Sequence, residues 1–131
     1  MALAYWGIKY SQQKISRILK LRAGLGVPAP NITLLRSPQI DVYYTIGASL
    51  DNILQWLQAA IPIIAFVQAG ELPHWRGIKS QHAVLVVGVE DGELLVHDPG
   101  LDHGPVIVPL DDFLLAWDEM DTRCAIIVRK S

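Results

Sequence analysis

Gln81-His82-Ala83-Val84-Leu85-Val86-Val87-Gly88-Val89-Glu90-Asp91-Gly92-Glu93-Leu94-Leu95-Val96-His97-Asp98-Pro99-Gly100 is the stretch that decides the fold of this 131-residue chain. A β-branched apolar run opens on a histidine, breaks at Glu-Asp-Gly, returns through Leu-Leu-Val and closes on Asp-Pro, which is the pattern of a β-hairpin. A histidine at the start of one strand and an aspartate at the end of its neighbour can stand side by side. A carboxylate so placed can orient an imidazole, which is two thirds of a nucleophilic triad.

Strand alternation makes that pairing depend on the turn. A two-residue turn at Asp91-Gly92 pairs Glu90 with Glu93 and sets Asp98 opposite Leu85, on the other face from His82. A three-residue loop, Glu90-Asp91-Gly92, pairs Val89 with Glu93 and sets Asp98 opposite Val84, which shares a face with His82. Histidine and aspartate are then diagonal neighbours, ~7–8 Å apart at the backbone and within side-chain reach. Such a loop wants positive φ in its third place, where Gly92 stands. Pairing of His82 with Asp98 therefore predicts a glycine bulge at this turn.

On either side of the hairpin the chain reads as helices first and a mainly antiparallel sheet after. Ala2 to Trp6, stopped by Gly7, looks like the end of a helix. Ser11 caps a second helix from Gln12 to about Leu21, with Ile15, Ile18 and Leu19 on one face. A Gly- and Pro-rich connection follows, then strand composition from Val42 to Ile46. Ser49 caps a helix over Leu50–Ala60 with Asp51 in its first turn, and Pro62 leads into a short strand, Ile63–Val67. A polar, aromatic-bearing loop, Gln68 to Gln81, runs straight into His82. Beyond the hairpin come a strand at Val106–Pro109, a helix capped by Asp111 from Asp112 to about Met120, and a terminal strand, Arg123–Arg129. The class is α+β, in one domain over residues 1–131.

Composition narrows the function classes. Eleven basic and thirteen acidic residues leave a net charge of −2, with nothing to attract a nucleic acid. No apolar run approaches the ~18–20 residues needed to span a bilayer, so the 51% hydrophobic content reads as a densely filled core. The first residues carry no charged segment or cleavage site of a secretion signal, which favours the cytoplasm. A single cysteine excludes an internal disulfide and a Cys-rich zinc site.

The chain resembles the papain-like cysteine peptidases that trim double-glycine leader peptides from bacteriocins, and their stand-alone relatives. The resemblance rests on Met1-Ala-Leu-Ala-Tyr-Trp-Gly ending the first helix, Ser49-Leu50 opening the third, Pro62-Ile-Ile-Ala-Phe-Val, His82 heading a Val-rich strand and Asp98-Pro99 after the next. It implies a papain-like fold, with N-terminal helices packed on a mainly antiparallel sheet. It also implies peptide-bond hydrolysis, a peptide or leader-peptide substrate and no cofactor. His82 takes the place of the general base that partners the nucleophile, and Asp98 that of the residue orienting it. Family members carry the nucleophilic cysteine in a Cys-Gly-Pro start to the first helix, about two helical turns before the position matching Met1. A glutamine upstream of that cysteine helps form their oxyanion hole. Two explanations stand for the present sequence: a nucleophile upstream of Met1, or a catalytically inactive module that binds peptides. Retention of both His82 and Asp98 favours the first. A first helix cut short would uncover its neighbours, which predicts self-association into a homo-oligomer.

The remaining candidates have simpler readings. Cys124, inside Cys-Ala-Ile-Ile-Val, reads as a small buried core residue. His97 alternates to the face opposite Asp98. The run from His97 to His103 holds two histidines and two carboxylates, but alternation and the Pro-Gly turn scatter them, so no metal site is expected. Trp56 and Trp117 sit at helical spacing with apolar neighbours and read as core. Trp75, in the loop before His82, is the residue placed to touch a peptide, or else to pack as a lid. Alternation turns Gln81 away from the face of His82, against a role as oxyanion donor.

Overall fold

A computed structural model of the chain describes residues 11–18, 29–75, 77, 80–101 and 103–130. The helix expected over Ala2–Trp6 lies outside them. In chain order the helices and strands are α1 (Gln12–Ile18), β1 (Ile40–Thr45), α2 (Leu50–Gln58), β2 (Ile63–Gln68), β3 (Gln81–Glu90), β4 (Glu93–His97), β5 (Val106–Pro109), α3 (Leu110–Asp118) and β6 (Cys124–Arg129). Turns of 3-10 helix cover Ala29–Leu35, Ala69–Glu71 and Pro73–Trp75. The fold is α+β. Two compact units make up the chain, one of residues 1–44 with 125–131 and the other of residues 45–124.

In the first unit, the Ser11 hydroxyl accepts the Lys14 amide at 3.0 Å, the capping bond its position predicts. Strands β1 and β6 are neighbours, with the Lys130 amide donating to the Gln39 carbonyl at 2.8 Å. The Arg36 guanidinium clasps the Val42 carbonyl through Nη2 at 2.7 Å.

The second unit holds the hairpin. Its strands run β2-β3-β4-β5, each antiparallel to the next. Opposed residues share a face, so Ile63 with Val86, Ala65 with Val84, and Val86 with Val96 build one apolar surface. Helix α3 covers that surface with Phe113, Ala116 and Trp117, all buried, and the Trp117 indole N–H donates to the Arg123 carbonyl at 2.8 Å. The predicted cap at Asp111 is not used. The helix begins two residues earlier than expected, at Leu110, whose amide donates to the Gly92 carbonyl at 3.1 Å. A backbone acceptor from the hairpin turn thus serves a helix-end donor, and Asp111 and Asp112 sit in the first turn, where the helix dipole favours negative charge.

Helix α2 does start from Ser49, in a reciprocal box. Its hydroxyl accepts the Asn52 amide at 3.2 Å while Asn52 Oδ1 accepts the Ser49 amide at 2.8 Å. Ile53 is the buried residue of this helix; Trp56, expected in the core, is 37% exposed.

The hairpin turn differs from its expected form. Glu90 pairs with Glu93 across a two-residue turn in which Asp91 and Gly92 both have positive φ, +48° and +76°. That is the conformation whose twist matches an antiparallel pair. The ladder is interrupted further up, between Val86 and Gly88, where Val87 is the extra residue. Beyond this bulge Leu85 opposes His97, the last pair of the ladder, which is the register that aligns Asp98 with Val84. The expected register at the histidine end is therefore present, reached by a mid-strand bulge rather than a glycine bulge at the turn.

Candidate active site

The apolar face of the sheet ends in polar residues. His82 sits opposite Val67, one rung beyond the buried pair Ala65 and Val84. Asp98 follows the last residue of β4, 4% exposed overall and with a side chain out of solvent. An ionised carboxylate is tolerated in such a place only when donors surround it. Four do. Oδ1 accepts His82 Nε2–H at 2.5 Å and the Gly100 amide at 2.8 Å; Oδ2 accepts His74 Nε2–H and the Trp75 indole N–H, each at 2.7 Å.

The loop after β2 supplies the second pair of donors. Gln68 Oε1 accepts the Ser80 amide at 2.6 Å and the Ala69 amide donates to the Ser80 carbonyl at 2.8 Å, closing the base of the loop. Leu72, fully buried, anchors its middle, and its carbonyl accepts the Trp75 amide at 3.0 Å. The short turn Pro73–Trp75 is thereby folded back over Asp98. Trp75 also meets the His82 ring edge-on, with centroids 6.2 Å apart at 77°.

Burial alone would push the Asp98 carboxyl upward, but the bonds from His82, His74, Trp75 and Gly100 outweigh it and hold the group at about 2. It is a carboxylate at any ordinary pH. Both histidines must then present Nε2–H to it, so each neutral ring keeps its lone pair on Nδ1. An imidazole held in one tautomer by a buried carboxylate, with a free basic nitrogen, can take a proton from a neighbouring thiol or hydroxyl.

The structure brings together His82, Asp98 and Trp75, the three residues the sequence singles out. Trp75 donates to Asp98 and its ring is half buried. His74 is the residue that sequence reading missed. It sits in an irregular loop with no periodicity to place it, and its only signal was adjacency to Trp75. Cys124 is 4% exposed, and burial pushes its thiol up to about 11. Gln81 is exposed and His97 half buried. Among the described residues, no group of three or more His, Cys, Asp or Glu side chains is arranged to hold a metal ion.

The sequence model described as Peptidase_C39 like family matches residues 1–125. Among solved structures, the crystal structure of a candidate C39-like peptidase from Bacillus anthracis matches with a TM-score of 0.76 at 18% identity, covering 99% of this chain and 85% of that one. At that identity the likeness establishes the fold, the papain-like arrangement expected from the sequence. No curated protein matches significantly.

Proposed function

Because the chain belongs to the C39-like peptidase family, we propose that it forms most of a hydrolase that cleaves a peptide bond through a Cys-His-Asp triad. His82 is the general base and Asp98 the carboxylate that orients it. The family points to a peptide as substrate, and a double-glycine leader is the particular peptide proposed. One observation carries the reading: the 2.5 Å bond between His82 Nε2 and a fully buried Asp98 carboxylate.

In the proposed reaction, Nδ1 of His82 takes the proton of a thiol and the thiolate adds to the scissile carbonyl carbon. The imidazolium then protonates the departing amine, leaving a thioester. The same nitrogen next deprotonates a water molecule, whose oxygen displaces the thiol and releases the acid. The thiol is supplied from outside residues 1–131, by the Cys-Gly-Pro that starts the first helix in the family. Cys124 does not fit the role, being buried and protonated at neutral pH. Trp75 screens Asp98 with its indole N–H, and its half-buried ring borders the peptide.

The same observation on Cys124, the sole cysteine of the sequence, favours a second reading, a catalytically inactive peptide-binding module. The reading frame upstream of Met1 discriminates. An in-frame Cys-Gly-Pro supports the hydrolase; a stop codon, or another residue in place of the cysteine, supports the binding module.

A further inference from the structure

Asp98 does not serve His82 alone. His74 Nε2 lies 2.7 Å from Oδ2 of the same carboxylate whose Oδ1 holds His82, and the two ring side chains are 17% and 24% exposed. We propose that His74 is a positioning residue that shares Asp98 with His82, so that the two imidazoles compete for a single counter-charge and the site carries one proton between them. This deepens the reading of His82 as general base and rests on it.

The argument is electrostatic. One carboxylate can neutralise one imidazolium. Two imidazoles bonded to opposite oxygens of the same group are close enough for a second positive charge to be opposed in a partly buried site. Among the described residues, neither ring has an ion-pair partner besides Asp98. Glu71, on the preceding 3-10 turn, pairs with neither ring, and the other groups on the carboxylate are the Trp75 indole and the Gly100 amide, which do not titrate. Arg76 and Lys79, later in the same loop, lie outside the described residues. A proton taken up by His74 goes to Nδ1 while Nε2–H keeps its bond, so the new ring charge offsets that of Asp98 without breaking the contact. His82 then loses support for its own imidazolium. With its ring neutral, His74 anchors Oδ2 and leaves Oδ1 to His82.

The test is a nitrogen-15 NMR titration of the imidazoles in the intact chain, beside a His74→Gln variant that retains an N–H donor but cannot take the charge. In the natural chain, the His74 and His82 signals should each show two inflections, as interacting sites do. In His74→Gln, His82 should titrate in one step with its midpoint raised by about one pH unit, roughly tenfold in proton affinity. A rise of less than about threefold, or a fall, would overturn the proposal. Should the variant not fold, the natural chain decides alone, because simple one-step curves for both rings contradict sharing. Trp75→Phe removes a neutral donor from the same oxygen and should leave the two inflections in place. None of these readouts needs a thiol. Loss of the hydrolase reading would therefore leave the titration interpretable, and failure of the titration would leave thiol activation by His82 untouched.

Discussion

A methyl group on Gly100 would stand 2.8 Å from Cζ2 of Trp75 and 3.2 Å from Oδ1 of Asp98. The loop after β4 and the turn before β3 thus close over the carboxylate at a distance only glycine allows. Gly100→Ala should lower stability by about 1–3 kcal/mol, since a rigid ring must move and the indole bond to Asp98 must lengthen. In a Trp75→Phe background the smaller ring leaves room, and the same alanine should cost under about 1 kcal/mol. Thermal unfolding of the four proteins closes the cycle. Equal effects in both backgrounds would mean that the close approach is not what requires glycine.

Asp98→Asn tests why the site uses a carboxylate. Each oxygen faces a donor that cannot reverse, the Gly100 amide at Oδ1 and the Trp75 indole at Oδ2. Whichever way an asparagine turns, its NH2 opposes an N–H. The substitution should destabilise the chain by about 1–3 kcal/mol and release the tautomer of at least one histidine. An asparagine variant as stable as the natural chain, with both rings still protonated at Nε2, would refute that account.

The acid limb of stability follows from the same bonds. Asp98 is held at about 2 in the fold, against 3.8 for an ordinary aspartate. A carboxyl depressed on folding contributes stability that is fully present above its unfolded value, near pH 4, and is lost as pH falls through its folded value, near pH 2. The contribution is about 2 kcal/mol. Chemical denaturation at steps between pH 5 and pH 2 should show this loss in the natural chain and a shallower slope in Asp98→Asn. Parallel slopes would place the acid sensitivity elsewhere.

The hairpin shows how far the sequence carries. His82 and Asp98 on one face were legible because alternation is strict and a shift of one residue exchanges the faces. The route was not, because a turn and a bulge can each absorb the odd residue. The signal was present in Gly88, a glycine inside a strand pattern, which marks a bulge more directly than the glycine of the turn does. Trp56 was misplaced for a different reason: helical periodicity says that an apolar face exists, not how much of it the neighbouring strands cover. His74 was beyond reach because its position depends on how a loop anchored by Leu72 folds back, which local pattern does not encode.

The turn itself gives a sharp expectation. With φ of +76° at Gly92 and +48° at Asp91, Gly92→Val should destabilise the hairpin by about 1–2 kcal/mol, while Asp91→Gly should be neutral or slightly stabilising. Urea unfolding measures both. A tolerated valine would contradict the left-handed backbone at Gly92.

The central claim is that His82, held by Asp98, activates a thiol. The most direct test extends the chain upstream through the Cys-Gly-Pro that starts the first helix in the family and follows its alkylation by iodoacetamide at pH 6, with and without His82→Ala. The upstream cysteine should react at least about a hundredfold faster when His82 is present, and Cys124 should stay unlabelled in both. Equal labelling rates with and without His82 would contradict the account.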